Sequence, residues 1–317
     1  MLETLKFVQG AVASKGFAPE LTHFCIKDGM VKGFNGALAL ASPIDLALDV
    51  TPKAIPFIKA ILACKDTTTM TLTPTGRLSI KSGKFKAFVE CIDDTYPDVQ
   101  PEGEKIPITG DFMSALKKVA PFIAEDASKP WARGVLFNGQ TITATNNIVV
   151  VQHWLTEPFP VKVNVPINAV KELIRIKDTL THFSMSDRSI TFYYSSGRWL
   201  RSNLIETAWP DIDRVLDKDS NQQAFPEGFF MAIEDIKHFA EETGRLILAD
   251  GKICTTLVEG EGASVLLDNL PANKASFNTK HLASIEGVAD TIDLSQYPAP
   301  CIFYGDNLRG AIIGMIL

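Results

Sequence analysis

The chain has 317 residues, 46% of them hydrophobic, which is enough apolar material for folded domains with real cores and excludes a disordered protein. Its formal net charge of −6 and pI near 5.5 argue against a protein that holds nucleic acid through its overall field, so any such contact must be local. No apolar run is long enough to span a bilayer and no signal peptide is indicated, so we expect a cytoplasmic protein. The five cysteines are scattered singly without a CxxC pair, which predicts reduced thiols and no metal site.

Predicted elements follow the same order in each third of the chain. The first third is predicted to contain a helix, a hairpin that turns at Asp28-Gly29, a second helix and a closing hairpin, at 2–14, 22–34, 51–66 and 71–91. The second third repeats this order with a turn at Asn138-Gly139, at 110–124, 134–154, 168–178 and 181–204. The last third has a turn at Asp250-Gly251 and ends in a strand, at 233–243, 245–259, 278–287 and 307–317. Pro56 either kinks the second helix or moves its start to Ile55.

Two short motifs recur at a nearly constant spacing and support this threefold repeat. ASKGFA (13–18) is echoed by ASKPWA (127–132), with Ser14 and Ser128 separated by 114 residues. TYPDVQP (95–101) is echoed by AWPDIDRV (208–215), with an offset of 113 residues between the prolines. The sequence therefore predicts an α+β protein of three tandem domains, each with two helices and antiparallel sheets, at 1–104, 105–220 and 221–317. The period of about 106 residues is too long for a solenoid.

Basic residues concentrate in the helices of the first two thirds. Counted over 2–15, 51–66, 110–124 and 168–177, these segments hold ten Lys or Arg residues against four Asp or Glu residues, in a chain whose net charge is negative. Lysine is also a good solvated helix former, so any one helix alone has that simpler explanation. The same bias in four helices favours a shared basic face that meets nucleic-acid phosphates. The first helix of the last third is acidic and contributes little to such a face.

The two ASK loops follow the first helix of their repeats and extend this face. Lys15 and Lys129 are placed to reach phosphates, and Phe17 and Trp131 either stack near a nucleic acid or plug the helix ends as core residues. The residues predicted to face DNA are Lys6, Lys15, Lys53, Lys59, Lys117, Lys118, Lys129, Trp131, Lys171, Arg175 and Lys177.

Several motifs together resemble the bacterial-type β sliding clamp, the processivity factor of replicative DNA polymerase. They are GVLFNGQTITATNN (134–147), WPDIDRVL (209–216), YPDV (96–99), FNTKHLASI (277–285) and the final IIGMIL (312–317). The resemblance covers essentially the whole chain, which is shorter than usual for the family, as suits a phage-encoded or divergent clamp working in a host cytoplasm. It implies three clamp-type domains per chain and a head-to-tail homodimer closed into a ring. That ring encircles double-stranded DNA regardless of sequence and tethers the polymerase, without enzymatic activity, cofactor or metal.

Clamps of this family bind polymerase and clamp loader through short peptides that enter an apolar pocket. Carried over motif by motif, the resemblance implies that this pocket contains Thr145, Asn147, Val150, Pro210, Arg214, Val215, Asn278, His281, Ile313 and Met315. The chain departs from the family at 147–150, where Gly-His-Arg-Leu is common, and at 313–317, where the family often ends Met-Pro-Met-Arg-Leu. Without the resemblance, the apolar C-terminus beside a Pro-Asp stretch has a plainer explanation as core.

An enzyme and a single-stranded nucleic-acid-binding protein are the two alternatives to the clamp. GxSxG, P-loop and GxGxxG motifs are absent, and the histidines show no HxxxH spacing, so we expect no catalytic site. A single-stranded nucleic-acid-binding protein of the replication machinery is the stronger alternative, because exposed aromatic side chains can stack on bases. Its candidate stacking residues are Phe17, Trp131, Tyr193, Tyr194 and Trp199.

Overall fold

The computed structural model describes residues 1–16, 18–93, 96–126, 128–240, 242, 244–270 and 274–317. The expected α+β class is confirmed. The chain divides into two compact units, each built from two stretches: unit 1 is Met1–Thr109 with Asn168–Leu204, and unit 2 is Gly110–Ile167 with Ile205–Leu317. The three domain boundaries expected from the repeat stay a prediction.

The described residues contain seven α-helices, α1 to α7 in chain order. They are Leu2–Gln9, Ala54–Ala63, Phe112–Val119, Ile167–Arg175, Asp213–Leu216, Phe229–Ile236 and Thr279–Ala283. Short 3-10 helices lie at Pro19–Thr22, Ala120–Phe122, Pro130–Arg133, Lys237–Ala240 and Leu294–Gln296. The six predicted helices are all present and shorter than predicted, and α6 begins at Phe229, four residues before its predicted start at 233. α2 begins at Ala54, so Pro56 lies in its first turn. The N–H groups of the first turn have no partner within the helix, so the missing N–H of proline is not destabilising there. None of the helices described combines the length and hydropathy that crossing a membrane requires.

Twenty strands, β1 to β20 in chain order, form the sheets of the part of the chain that the structure describes. They are Cys25–Lys27, Met30–Phe34, Leu38–Pro43, Thr68–Leu72, Arg77–Ser82, Phe85–Glu90, Ile106–Pro107, Gly134–Thr145, Val149–Pro166, Leu180–Met185, Ser189–Tyr194, Trp199–Asn203, Gln223–Ala224, Arg245–Ala249, Lys252–Cys254, Ser264–Leu266, Ala275–Asn278, Thr291–Ile292, Cys301–Gly305 and Leu308–Ile312. The predicted turns at Asp28-Gly29 and Asp250-Gly251 are confirmed, since they join β1 to β2 and β14 to β15.

Unit 1 contains a seven-stranded sheet in the order β1-β2-β3-β12-β11-β10-β7 and a three-stranded sheet in the order β4-β5-β6. All neighbours are antiparallel, and β3 of the first third pairs with β12 of the second. Helix α1 buries Leu5 and Val8 completely against this layer. A Cβ at Gly33 would come within 2.9 Å of the Val8 carbonyl oxygen, so glycine at this position permits the close approach of helix and strand.

Unit 2 contains a six-stranded sheet in the order β13-β18-β19-β20-β9-β8 and a four-stranded sheet in the order β16-β15-β14-β17. Helix α3 covers β8 and β9 with Phe112, whose ring lies 5.3 Å from Phe137 and 5.5 Å from Phe159. The chain's last third pairs with its middle third through β20 and β9. Each unit is thus held together by a sheet that crosses from one third of the sequence to the next.

The turn predicted at Asn138-Gly139 was wrong. Strand β8 continues through these residues with a shift of register, and the turn into β9 comes later, at Asn146-Asn147. Gly139 has a φ of 57°, which fits a local bulge in the strand, so the Asn-Gly pair here bends a strand instead of ending it. At the true turn, the Asn146 side-chain oxygen accepts hydrogen bonds from the backbone N–H groups of Ile148 (3.0 Å) and Val149 (2.8 Å).

Candidate functional site

An open cavity of about 330 Å³ lies within unit 2, where the end of β8, the start of β9, the 210–215 segment and the end of β20 meet. Its wall consists of Lys129, Trp131, Thr145, Asn147, Ile148, Val149, Val150, Pro210, Asp211, Ile212, Val215, Pro300, Ala311 and Ile313. Most of these side chains are apolar, and the volume is at the lower end of the range for binding sites. The cavity therefore suits a few apolar side chains better than a large cofactor.

The floor of the cavity is firm because it rests on packed core. Leu216, Ile302 and Ala311 form a buried cluster, against which Val150, Ile212, Val215 and Tyr304 pack. The hydrogen-bonded register of β9 and β20 sets Val150 directly opposite Ala311. Because alanine is small, the space above this pair stays open while the strands around it are fixed.

One side of the rim is aromatic. Trp131 packs edge-to-face on Trp209 with 5.1 Å between ring centroids, and its carbonyl oxygen accepts a hydrogen bond of 2.8 Å from the Asn164 side chain. The structure places Trp131 and Lys129 in the wall of this cavity, and their expected position beside DNA stays a prediction. The repeat motif located the loop correctly but carried no information about which side of it the aromatic ring would occupy.

The polar groups of the cavity come mainly from the Asn146-Asn147 turn. Thr145 donates its hydroxyl to the Val149 carbonyl oxygen (2.8 Å) and accepts from the Asn147 backbone N–H (3.0 Å). The side-chain oxygen of Asn147 is buried and has no hydrogen-bond partner among the described residues. Such an oxygen is costly to leave unsatisfied, and a bound molecule with an N–H group would supply the missing donor.

Six of the ten predicted pocket residues line the cavity, namely Thr145, Asn147, Val150, Pro210, Val215 and Ile313. The other four lie outside its wall. Arg214 is 84% exposed and pairs with Asp211 at 3.0 Å, and Met315 bonds through its backbone N–H to the Ser276 carbonyl oxygen (2.7 Å).

The remaining two predicted pocket residues belong to the start of α7. Asn278 caps this helix by accepting from the N–H groups of Lys280 (3.0 Å) and His281 (3.3 Å). His281 lies 3.4 Å from the Asn146 amide nitrogen, and burial, with the nearby Lys280 charge, lowers its pKa. Both residues thus support elements near the turn, and neither forms part of the cavity wall.

Sequence reasoning missed several wall residues. Ile212 lies in the WPDIDRVL motif, and Ile148 and Val149 lie in the 147–150 stretch that departs from the family, so the apolar character of these two stretches was the available signal. Ala311 and Pro300 gave no signal, because their place in the wall depends on the pairing of β19 and β20 with distant strands.

The predicted basic residues are mostly exposed, at positions that belong to both units. In unit 1 these are Lys6, Lys15, Lys53, Lys59, Lys171, Arg175 and Lys177, and in unit 2 Lys117, which is exposed, and Lys118, which is half-buried. Lys118 forms an ion pair with Asp306 at 3.1 Å. Phe17, the aromatic residue of the first ASK loop, lies outside the described residues.

Three of the aromatic residues that favoured single-strand binding, Tyr193, Tyr194 and Trp199, lie in unit 1. Tyr194 is 4% exposed and Trp199 is 7% exposed, so neither presents a face to a base. Tyr193 shares a hydrogen bond of 2.9 Å with Ser184 and has the Lys105 ammonium 4.3 Å above its ring. These rings serve the core of unit 1.

Comparison with known proteins rests on structure alone, because no family model and no curated protein sequence matches this chain. The DNA polymerase sliding clamp from Bacillus subtilis superposes with a TM-score of 0.85 at 17% identity, over 100% of this chain and 97% of that one. The chain has the fold of a bacterial DNA polymerase sliding clamp. A clamp from Bartonella birtlesii bound to griselimycin gives 0.85 at 18% identity, again over 100% and 97% of the two chains.

The sliding-clamp fold accounts for the whole chain. A third clamp, from Caulobacter crescentus, was solved with PEG bound to its putative beta-motif tethering region, and it matches with a TM-score of 0.84 at 16% identity over 100% of this chain and 97% of that one. Since every described element falls within these matches, the cavity and the basic helices of this chain belong to the clamp fold itself and not to an added domain.

Proposed function

We propose that this protein is a DNA sliding clamp, which encircles duplex DNA as a head-to-tail homodimer and tethers the replicative polymerase to its template. The observation that carries the proposal is the likeness to clamp structures over the full length of the chain. A closed ring needs no tight grip on DNA, because it can leave only over an end. The protein then acts without catalysis, since holding a polymerase near the primer raises its effective concentration.

The distribution of charge supports contact with the DNA backbone. The four helices α1 to α4 hold six basic residues against two acidic ones, although the chain as a whole is acidic. Lysine and arginine contacts to phosphates are sequence-independent and individually weak, which permits sliding. An acidic remainder disfavours DNA on the other surfaces.

The cavity of unit 2 supports tethering by a short peptide. Its apolar wall around Val150, Val215 and Ile313 suits one or two aliphatic or aromatic anchors. The unsatisfied side-chain oxygen of Asn147 suits a backbone N–H of the same peptide. A polymerase and a clamp loader are the partners that the clamp function requires, and both would compete for this cavity.

Exposed apolar residues and open sheet edges support assembly of two copies. Phe88 is 51% exposed on β6, an edge of the three-stranded sheet of unit 1, and Leu266 is 79% exposed on β16, an edge of the four-stranded sheet of unit 2. Open edges with apolar side chains are unfavourable in a monomer, and pairing between subunits would cover them.

Retention on DNA before and after linearisation tests the clamp function. The protein is loaded onto nicked circular plasmid at moderate salt, and bound protein is measured before and after the circle is cut. We expect loss on linearisation, because a ring slides off ends. Equal retention on circle and linear DNA would contradict the clamp and return attention to contact binding, including binding of single strands.

Lysine substitutions on the helices test the basic face. We expect Lys117→Ala and Lys171→Ala to weaken retention on circular plasmid about twofold to fivefold without unfolding the protein, because each removes one screened phosphate contact. The effect of Lys118→Ala should be smaller than that of Lys117→Ala, since Asp306 already engages the Lys118 ammonium group. Lys84→Ala, an exposed turn residue between β5 and β6, is the matched control. Unchanged retention in the helix variants would count against an inner basic face.

A further inference from the structure

A second open cleft, of about 510 Å³, lies within unit 1 beside the N-terminal helix. Helix α1 contributes Lys6 and Phe7 to it, the end of α4 contributes Arg175, the residues that follow α4 contribute Lys177, and the turn between β11 and β12 contributes Arg198. Four cationic side chains therefore converge on one cleft from three separate elements. Arg198 comes from a strand-rich hairpin and was not among the residues predicted to face DNA.

The acidic groups of the cleft do not cancel this positive charge. Glu3 and Asp178 are the two carboxylates in its lining. Burial pushes the pKa of Asp178 upward, but hydrogen bonds from Ser196, Ser195 and the Thr179 N–H, together with the nearby Arg198 charge, outweigh it and lower the pKa overall. The three hydrogen bonds already satisfy the carboxylate. Glu3 is exposed and only 3.6 Å from Lys6, a surface pair that contributes little.

Two of the cations are held in place before any ligand arrives. The Arg198 side chain donates from Nε to the Ser42 hydroxyl (3.1 Å), and its guanidinium lies 4.9 Å above the Phe7 ring. Arg175 donates from Nη2 to the Phe7 carbonyl oxygen (3.0 Å) and is paired with Glu172. Preorganised arginine side chains lose less entropy on binding, and the guanidinium fork matches the geometry of phosphate oxygens.

Arg198 and Lys177 keep binding capacity for a ligand. Neither forms a salt bridge among the residues that the structure describes. Lys177 is exposed, and the terminal nitrogens of Arg198 are not used by its bond to Ser42. A monoanionic diester, with two free oxygens and one charge, fits one arginine fork flanked by a lysine.

We propose that this cleft binds a backbone phosphate of duplex DNA, with Arg198 and Lys177 as its direct ligands. The proposal rests on the clamp function and adds to it a fixed point of contact outside the helices. Because only phosphate oxygens are engaged, the contact is blind to sequence. It acts as a local hold that must break and re-form each time the DNA advances by a nucleotide.

Salt-dependent binding of a short linear duplex tests the cleft directly, without any need for ring closure. Fluorescence anisotropy is measured from low to moderate salt for the wild type, Arg198→Gln, Lys177→Gln and the matched control Lys81→Gln/Lys84→Gln on the three-stranded sheet. We expect each cleft variant to bind about threefold to tenfold more weakly, and the slope of log affinity against log salt to fall by about one in Arg198→Gln. The control should resemble the wild type.

A variant that is expected to bind DNA more tightly distinguishes the loss of a charge contact from the loss of structure. Glu3→Gln removes a negative charge from the cleft wall, so it should strengthen duplex binding about twofold, a result that an unfolding effect would not produce. Cleft variants that match the control overturn the proposal. The proposal is also overturned if the cleft variants bind inorganic phosphate more weakly than the wild type but bind the duplex equally well. The ligand of the cleft would then not be DNA.

The plasmid experiment separates this proposal from the clamp function. If the wild type leaves linearised plasmid while Arg198→Gln keeps the wild-type salt slope, the clamp function stands and the cleft assignment fails. If the wild type stays on linear DNA, the clamp function fails whatever the cleft variants do.

Discussion

The segment after Pro97 in unit 1 and the segment after Pro210 in unit 2 each pack against a pair of antiparallel strands, and the two places are filled differently. In unit 1, Val99 packs against the cluster of Ala39, Ala41 and Trp199 on β3 and β12. In unit 2, Ile212 and Val215 pack against Ile302 and Ala311, on β19 and β20, while β20 pairs with β9. We call these places the first and the second junction.

Both junctions begin with the same turn. Asn35 accepts the N–H groups of Ala37 (3.2 Å) and Leu38 (2.9 Å), just as Asn146 accepts those of the residues two and three positions on. Four residues after each asparagine, the register pairs Ala39 with Arg201 and Val150 with Ala311. The backbones are therefore equivalent, and the differences lie in the side chains.

An ion pair stands in the first junction where the second has its cavity. Arg201 donates to Glu102 at 2.9 Å, and Glu102 lies five residues after Pro97. The corresponding residues of the second junction, Ala311 and Val215, are both part of the cavity wall. One fold thus yields a salt-bridged joint or an apolar cavity, and the choice depends on two side chains.

Introducing the ion pair of the first junction into the second should remove this difference. We expect this change to have the largest effect of those proposed. We expect Val215→Glu/Ala311→Arg to fill the second junction and weaken a polymerase-derived peptide about 100-fold, because the apolar anchor loses its space. Fluorescence polarisation with a labelled C-terminal peptide of the polymerase measures this. Arg214→Ala, a neighbour outside the cavity wall, should change affinity less than about twofold. An unaltered titration in the double variant would remove the cavity as the peptide site.

Replacing Trp199 of the first junction or Arg309 of the second with alanine should lower the stability of the protein by different amounts. Trp199 pairs with Ala41 and is buried, whereas Arg309 pairs with Gln152 and donates to Asp213 and Asp217 near the surface. We expect Trp199→Ala to lower the free energy of unfolding by about 3 kcal/mol and Arg309→Ala by about 1 kcal/mol. Urea unfolding monitored by circular dichroism measures both. Equal losses would mean that the two junctions are alike in their cores.

The pH dependence of the first junction is the smallest expected effect. Hydrogen bonds from Ser186 and Ser189, and Arg201 beside them, lower the pKa of Glu102 in the folded protein. A carboxyl group whose pKa is lowered by folding stabilises the protein above its unfolded pKa of about 4.3, and this contribution disappears as pH falls through the folded value. Because Glu102 is half exposed, the contribution is about 0.5 kcal/mol or less.

Glu102→Gln should remove that pH dependence. Unfolding free energies of wild type and variant, measured from pH 7 down to pH 3, should differ at neutral pH and converge in acid. A difference that is constant across this range would show that the ion pair contributes nothing specific to the first junction.

The sequence predicted the elements better than their ends. Apolar periodicity located the six longer helices, because a helix must bury one face wherever it packs. Their ends depend on tertiary contacts, as at Gly10, where α1 stops and a Cβ would collide with the Glu172 carboxylate in unit 1. The Asn138-Gly139 pair carries the signature of a hairpin, and only the long pairing of β8 with β9 makes it a bulge.

The sequence predicted those site residues that lie within one contiguous stretch. It missed those that strand pairing brings together from distant parts of the chain. Asn147 and Val150 lie in one contiguous stretch, 147–150, and Pro210 and Val215 lie in the motif 209–216. Ala311 joins the wall through strand pairing over more than 150 residues of sequence, which no local pattern encodes. Trp131 was placed on the correct loop, but its partner Trp209 lies in a different motif, so its direction could not be predicted.

The pairing of β3 with β12 constrains how the chain is made. Ala39 meets Arg201 across the sheet, so the seven-stranded sheet stays incomplete until the ribosome has synthesised most of the middle third. Such distant pairings slow folding, and until then β3 offers a bare edge to other nascent chains. We therefore expect the first third, produced alone, to leave the β3 edge unpaired, and an exchange of thirds between related genes to require both sides of a junction.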